Sequence, residues 1–292
     1  MLSSTSSTGA TAEPPSTGTD LVEPTSRAPR GVPGQFTSVP QRAFVLIALT
    51  LFGLAAVCTL YFMRTMAAGM TMPGGWTMSM MWMPMPGQTL LSSAAVFTSM
   101  WLAMMVAMML PSAFPMLLIY RRVMLFRGTA QPLQTWLVGA GYFAVWTAFG
   151  VLVYACGVLI ARLTMRSEFA SHLVPFACGV AFIVGGAWQF TPWKFACLRH
   201  CRNPLHLLTR HLDRGTRGGF RFGLHHGAYC TGCCWGLMLM MLALGVMNLA
   251  AMILVGGIIA TEKLLARGEF VAHVVGVGAI VAGALLAARA FA

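Results

Sequence analysis

Long, uninterrupted apolar segments constrain the fold of this chain more than any other feature. A segment that crosses a bilayer as a helix needs about 20 mostly apolar residues, and in lipid only helices and closed barrels satisfy their backbone hydrogen bonds. Apolar runs occupy residues 41 to 63, 93 to 119, 133 to 161, 171 to 190, 227 to 261 and 270 to 290. The run from 227 to 261 is long enough for two short helices with a turn at Gly245-Val246-Met247-Asn248. The sequence therefore predicts an all-α, polytopic transmembrane helix bundle of about seven spans, with six as the alternative.

Composition excludes a water-soluble globular protein. Hydrophobic residues make up 58% of the chain, charged residues 9%, and the mean hydropathy is +0.74, whereas soluble domains contain about 25% charged residues. The net charge of +12 could suggest nucleic-acid binding, but the basic residues form short clusters between the apolar runs. They indicate membrane topology and contact with the lipid bilayer, and no nucleic-acid partner.

The first 40 residues differ from the rest, since Ser, Thr, Pro and Gly dominate them. Such a segment buries too little apolar surface to offset its ordering entropy. The sequence predicts a disordered tail over residues 1–40 and a transmembrane metal-binding domain over 41–292. The first apolar run is too long for a signal-peptide core, so it is interpreted as a retained helix.

Basic residues prefer the cytoplasmic side of a membrane. With seven spans and a cytoplasmic amino terminus, 15 of the 19 basic residues lie on the cytoplasmic side. The sequence therefore predicts this orientation, in which the carboxyl terminus lies outside.

Glycines recur within the apolar runs, which favours close helix packing in lipid. They are Gly139, Gly141, Gly150, Gly157, Gly179, Gly185, Gly186, Gly256, Gly257, Gly276, Gly278 and Gly283.

A methionine-rich loop follows the first apolar run, with nine of the chain's 23 methionines between residues 63 and 85. Thioethers bind soft ions such as copper(I), so an external loop of this kind is a candidate capture surface. The alternative is an interfacial loop whose Met and Trp side chains lie on lipid headgroups. The loop residues with candidate ligand roles are Met78, Met80, Met81, Met83 and Met85.

Methionines continue into the second apolar run. At 3.6 residues per turn, one set forms a stripe along a helix and a second set lies beside it. The stripe is Met100, Met104 and Met108, with Met105 and Met109 as its neighbours. It could pass a soft cation inward by thioether exchange, or it could serve helix packing alone.

The cysteines are the third group of residues that could carry chemistry. Cys58, Cys156 and Cys178 stand singly in apolar runs and are interpreted as core residues. Five others fall within 38 residues, on the predicted cytoplasmic side or at its membrane boundary. The candidate ligand set is Cys197, Cys201, His225, His226, Cys230, Cys233 and Cys234. Cys197 and Cys201 form an i, i+4 pair, and Cys230 and Cys233 form a Cys-x-x-Cys pair with imidazoles nearby. These spacings suit copper(I) or zinc, and the alternatives are thiol exchange and purely structural thiols.

Polar side chains within or beside the spans are few, and such groups are functional candidates by default. Gln189 ends the fourth run, Asn248 lies at the short turn, and Glu262 with Lys263 ends the sixth helix. Glu262 is expected to pair with Lys263, Lys194 or a nearby arginine. The sequence contains no Walker motif or buried series of carboxylates, so neither ATP-driven nor proton-driven pumping is predicted.

Ordered motifs give the chain a resemblance to a known family. Residues 101–116, WLAMMVAMMLPSAFPM, are followed by matching blocks at 189–194, 197–204, 227–235 and 245–249, the last together with Glu262-Lys263. Together they resemble a bacterial family of predicted metal-binding integral membrane proteins with a domain of unknown function, over residues 41 to 290. The resemblance implies the five cysteines as ligands, the second span as their companion, and a multi-pass location in the bacterial inner membrane. Ala251 departs from the family pattern, which has an aromatic residue there.

The sequence favours a membrane protein that binds a soft metal ion, with copper(I) preferred because zinc is poorly served by thioethers. Ions would be taken up at the methionine-rich loop and delivered to the cysteine cluster for import, buffering or transfer. A metallochaperone or a copper enzyme would be its protein partner. The alternatives are a thiol-disulfide oxidoreductase that uses Cys230 and Cys233, and an assembly partner of a copper enzyme.

Overall fold

The computed structural model describes residues 38–66, 69–83, 87–126, 132–203 and 216–290. The predicted tail up to residue 37 and Met85 lie outside the described residues. The described helices are α1 (Ser38–Met66), α2 (Leu90–Phe126), α3 (Pro132–Arg166), α4 (Glu168–Trp188), α5 (Pro192–Arg202), α6 (Thr216–Leu244), α7 (Leu249–Leu264) and α8 (Gly268–Arg289). The predicted all-α polytopic bundle is therefore confirmed.

The chain divides into two compact units, Met1–Phe44 and Val45–Ala292. The described part of the first unit is the beginning of α1. All contacts discussed below belong to the second unit.

Among the described residues, six helices are long and apolar enough to cross a membrane: α1, α2, α3, α4, α6 and α8. Large apolar side chains on them are exposed, such as Leu54 at 59% and Val277 at 55%, as expected for surfaces that face lipid. The remaining span of the predicted seven is α7, whose 16 residues measure about 24 Å, less than the roughly 30 Å hydrocarbon core. The turn predicted before α7 is present, with Gly245 at φ +99°.

Glycines bring the long helices into close contact, as the sequence predicted. Between α4 and α8, a methyl group on Gly186 would lie 2.8 Å from the carbonyl oxygen of Gly276, and one on Gly179 would lie 2.8 Å from that of Gly283. Other predicted positions play no such role, since nothing lies within 4 Å of a methyl group built on Gly139, Gly257 or Gly278.

The α3–α6 interface supplies a stability prediction. A methyl group on Gly223 would overlap the carbonyl oxygen of Val138 in α3. Gly223→Ala is therefore expected to lower the free energy of unfolding by at least the roughly 1–3 kcal/mol typical of overpacking, because backbone cannot yield as a side chain does. Thermal unfolding followed by circular dichroism measures this. Gly139→Ala on α3 is the matched control and should not destabilise the protein; equal unfolding temperatures for both variants would contradict the packing account.

A small hairpin precedes α2. Strand β1 (Gly69–Thr71) pairs antiparallel with β2 (Thr77–Ser79), and a 3-10 turn (Met80–Trp82) follows. Trp76 Nε1 donates to the carbonyl of Ser171 at 3.0 Å, which ties the hairpin to the start of α4. The hairpin also borders a cavity of about 420 Å³ that the last turns of α6 and α8 help to line. These elements therefore lie at one end of the bundle.

Candidate metal centre

Three thiols lie on one face of α6. Cys230, Cys233 and Cys234 follow an i, i+3, i+4 spacing, and their exposed fractions are 0%, 1% and 1%. The sequence placed them at the start of an apolar helix near residue 227, and this boundary was wrong: α6 begins at Thr216, so they lie near its middle. Glycines at 219, 223 and 227 allow the preceding segment to pack directly on α3 as helix.

Helix α5 brings further thiols to this face. Thr191 caps its amino terminus by accepting from the backbone N–H of Lys194, and Pro192 occupies the first turn. The Cys201 Sγ lies 3.8 Å from the Cys233 Sγ, which in turn lies 3.3 Å from the Cys234 Sγ. Cys197 contacts α6 at Gly232, where a methyl group would lie 3.0 Å from its Sγ. Cysteines separated by about 30 residues thus form one cluster.

All eight cysteines are free thiols. On α5, burial raises the pKa of Cys197, and hydrogen bonding to Cys230 raises the pKa of Cys201 well above its usual range. Within the parts of the chain that the structure describes, no three or more Cys, His, Asp or Glu side chains are already arranged to hold a metal ion. The cluster is therefore a set of reduced sulfurs in contact with one another.

Two residues that sequence reasoning did not assign to the site contact Cys230. The Lys263 Nζ donates to the Cys230 Sγ at 2.8 Å from the end of α7. The Tyr142 hydroxyl on α3 lies 2.9 Å from the same sulfur. The sequence pointed to Lys263 only as a polar residue at a helix end and did not point to Tyr142, so the packing of α3 and α7 against α6 reveals both contacts.

A buried ion pair connects α5 to α7. Lys194 Nζ lies 2.8 Å from both carboxylate oxygens of Glu262, and their side chains are 0% and 1% exposed. This confirms one of the pairings expected for Glu262. Arg202 adds a second connection by donating to the carbonyls of Leu265 and Ala266. The two contacts hold the helix that carries Cys201 against the rest of the bundle.

The structure separates the two adjacent histidines. His226 is 3% exposed, and its Nδ1 is buried with no hydrogen-bond partner among the described residues. It lies one helical turn before Cys230 on the same face of α6. His225 is exposed.

The methionine stripe of α2 is buried throughout. Its members belong to the same apolar core as Cys230, Cys233 and Cys234. The exposed fractions of Met100, Met104, Met105, Met108 and Met109 are 3%, 2%, 0%, 7% and 0%. The thioethers and the thiols therefore belong to one continuous core, to which α6 adds Met238 and Met241.

The described methionines of the loop with candidate ligand roles are buried or half-buried rather than fully exposed. Met78 is 2% exposed and packs with Met72 beneath the hairpin. Met80, Met81 and Met83 are half-buried, and Met81 packs against the main core.

The fold and the site define a multi-pass membrane protein with a buried thiol cluster in a methionine-rich core. A family model, PpoB2, described as a copper chaperone, matches residues 98–286. Because this range covers well over half of the chain, the protein belongs to that copper chaperone family and its function is copper-related. The matched range includes the α2 stripe and all five clustered cysteines, whereas the hairpin precedes it. No curated protein and no solved structure matches the chain.

Proposed function

We propose that this protein binds copper(I) between α5 and α6, with Cys201 and Cys233 as principal ligands and Cys234 beside them, and holds it for transfer to a recipient protein. The observation that carries this proposal is the 3.8 Å separation of the Cys201 and Cys233 sulfurs, which come from different helices. Two sulfurs bound tetrahedrally to one metal at about 2.3 Å are themselves about 3.8 Å apart. Copper binding at these sulfurs then requires the loss of their protons, but the helices need to move only a little.

The surroundings of the cluster favour copper(I) over zinc. Thiolates and thioethers are soft ligands that select copper(I), whereas zinc sites use thiolate, imidazole and carboxylate. Met105, Met109 and Met241 are fully buried in the same core as the thiols. His226 supplies one imidazole with an unpartnered buried Nδ1. This donor set is therefore richest in the ligands that prefer the monovalent ion.

A route to the cluster follows from the order of donors along the chain. The hairpin methionines, the α2 stripe and the α6 thiols provide first thioether and then thiolate ligands. Because thiolates bind copper(I) more strongly, transfer toward the cluster proceeds without an energy source. The recipient is a metallochaperone or a copper enzyme.

Thiol-disulfide exchange is less well supported by the same geometry. An exchanging cysteine needs access to its partner disulfide and a lowered pKa. Cys230 and Cys233 are at most 1% exposed, so neither sulfur is accessible to a partner disulfide. Permanently reduced thiols in cells, measured by alkylation trapping, are the expected result.

The proposal is tested by titrating the purified, reduced full chain in detergent with copper(I) against a chromogenic chelator. A single copper(I) ion per chain should withstand the competitor, and zinc should not displace it. Cys156→Ser on α3 removes an exposed thiol far along the chain from the cluster and should leave the titration unchanged. Failure of the wild-type protein to retain copper(I) would rule out the proposed function.

The hairpin methionines are predicted to affect the rate of loading rather than the final affinity. The triple variant Met80→Leu, Met81→Leu and Met83→Leu should slow copper(I) uptake by the protein reconstituted in proteoliposomes several-fold, because the first thioether site is lost. Its equilibrium affinity in detergent should match that of the wild-type protein, since the thiols are intact. Met165→Leu, an exposed methionine near the end of α3, is the control. Equal uptake rates in all three proteins would remove the hairpin from the route.

A further inference from the structure

The cavity of about 420 Å³ beside the hairpin exists because α6 ends before its neighbour α4 does. A methyl group on Gly185 of α4 would lie 2.6 Å from the carbonyl oxygen of Gly236 on α6, so the two helices are in contact there. From that contact α4 continues for about 25 Å toward its first residue, whereas α6 ends after about 12 Å. The last residues of α6 therefore line the cavity, whose volume lies within the roughly 300–1,000 Å³ typical of ligand sites.

The lining of the cavity is apolar at its inner end and cationic at its mouth. Phe182 of α4 and Leu244 of α6 line the inner end. His172 also lines the cavity and lies about 15 Å from Phe182 along α4, nearer the end of the bundle. Arg289 lies in the last turn of α8, one turn after Leu286. An imidazole and a guanidinium therefore stand at the mouth of an otherwise apolar site.

The hairpin holds the mouth of the cavity in place. The Ser171 Oγ donates to the carbonyl of Pro73 at 2.6 Å, and Trp76 Nε1 donates to the carbonyl of Ser171 at 3.0 Å. Gly74 lines the cavity at φ +97°, and a methyl group on it would lie 3.3 Å from the Cα of His172. Hydrogen bonds and close backbone contact therefore fix the hairpin turn against the start of α4.

The guanidinium of Arg289 is available to an anion. Arg289 is exposed and makes no hydrogen bond or ion pair with the residues that the structure describes. The carboxylate of Glu168 lies one turn before His172 on α4, but Glu168 does not line the cavity. A guanidinium binds phosphate oxygens through two parallel N–H donors, and an imidazole can supply another.

We propose that this cavity binds the phosphate group of an anionic phospholipid, with Arg289 and His172 at the phosphate and part of an acyl chain against the apolar end. Basic pockets between transmembrane helices are suited to lipid headgroups. Leu244 and Leu286 are 43% and 38% exposed, so the apolar wall continues onto the outer surface of the bundle. A free phosphate ion would use the mouth alone, whereas an amphiphile also covers Phe182.

Lipid binding is measured by native mass spectrometry of the full chain in detergent, titrated with phosphatidylglycerol or with zwitterionic phosphatidylcholine. The wild-type protein should bind phosphatidylglycerol at the lower concentration. Arg289→Gln should weaken that binding about tenfold, as expected for loss of a hydrogen bond between charged groups. Arg289→Lys should lose less. Arg166→Gln is the control, because Arg166 is exposed at the same end of the bundle and does not line the cavity.

Two further measurements separate a phospholipid from a free phosphate ion. Ala243→Phe places a ring at the inner end of the cavity without changing its charge, and it should also weaken phosphatidylglycerol binding. Inorganic phosphate, exchanged for acetate at equal ionic strength, should not displace the lipid from the wild-type protein. Displacement by inorganic phosphate would show that the mouth alone binds the anion and would overturn the assignment to a phospholipid.

Equal losses in Arg289→Gln and Arg166→Gln would also overturn the proposal, because any positive charge at the membrane surface would then suffice. Unchanged binding in Arg289→Gln would do the same. Thermal unfolding of each variant verifies that it is folded, and Arg289→Gln decides the result if Ala243→Phe is not. The inference does not depend on copper binding, since Cys230 lies about 20 Å from Leu244 along α6.

Discussion

Replacing Cys201 and Cys233 together by serine is expected to abolish retention of copper(I) by the purified protein. Their sulfurs lie 3.8 Å apart and join two helices at the metal position. A hydroxyl is a hard ligand with little affinity for copper(I), so loss of both thiolates removes the principal ligands. The affinity should fall by more than the roughly 10- to 100-fold that follows loss of an outer partner. Chelator competition in detergent measures the change.

Single variants and matched controls locate the effect. Cys178→Ser changes a half-buried thiol of α4 outside the cluster and should bind copper(I) as the wild-type protein does. Cys197→Ser should have a smaller effect than Cys201→Ser, because Cys197 contacts α6 at Gly232 rather than at a sulfur. If the Cys201 and Cys233 double variant bound copper(I) with unchanged affinity, the ligands would have to be elsewhere.

Removing one partner of the Lys194–Glu262 pair is expected to cause a larger loss of stability than any other substitution proposed for this protein. Both side chains are buried, and Nζ lies 2.8 Å from each carboxylate oxygen. Glu262→Leu leaves a buried ammonium without its partner, which costs about 3–5 kcal/mol in comparable pairs. Thermal unfolding in detergent measures the loss. Copper(I) affinity should fall as well, since the pair helps to hold the helix that carries Cys201.

The double variant Lys194→Met and Glu262→Leu distinguishes charge burial from packing. Replacing a buried ion pair by apolar residues of similar volume is often neutral or stabilising, so the double variant should recover most of the lost stability. A double variant as unstable as Glu262→Leu would contradict this interpretation. The result would then assign the loss to altered packing between α5 and α7.

Much of the fold could be predicted because it depends on local composition. The helices of the bundle follow from apolar runs of about 20 residues, and the turn at Gly245 follows from a short polar interruption. Close packing at Gly179, Gly186, Gly276 and Gly283 was also predicted and is confirmed. The start of α6 was not, because Thr216 to Leu224 is weakly apolar and its glycine contacts with α3 exist only in the folded bundle.

The site was predicted in its residue types but not in its arrangement. Spacing alone suggested that Cys197 and Cys201 share a helix and that Cys230 and Cys233 are one turn apart. The contact between Cys201 and Cys233 spans 32 residues of chain, and that between Lys263 and Cys230 spans 33. Such contacts depend on how α5 and α7 dock on α6, which local patterns do not encode. The buried position of His226 and the exposed position of His225 likewise follow from α6 packing.

X-ray absorption at the copper edge tests the central claim most directly, namely that copper(I) is bound by sulfurs from both α5 and α6. The copper(I)-loaded wild-type protein should give a first shell of sulfur scatterers, at bond lengths near the roughly 2.3 Å of metal–thiolate bonds. Cys201→Ser should remove part of that shell. A first shell of nitrogen or oxygen in the wild-type protein, or identical spectra for the wild-type and Cys201→Ser proteins, would contradict the account.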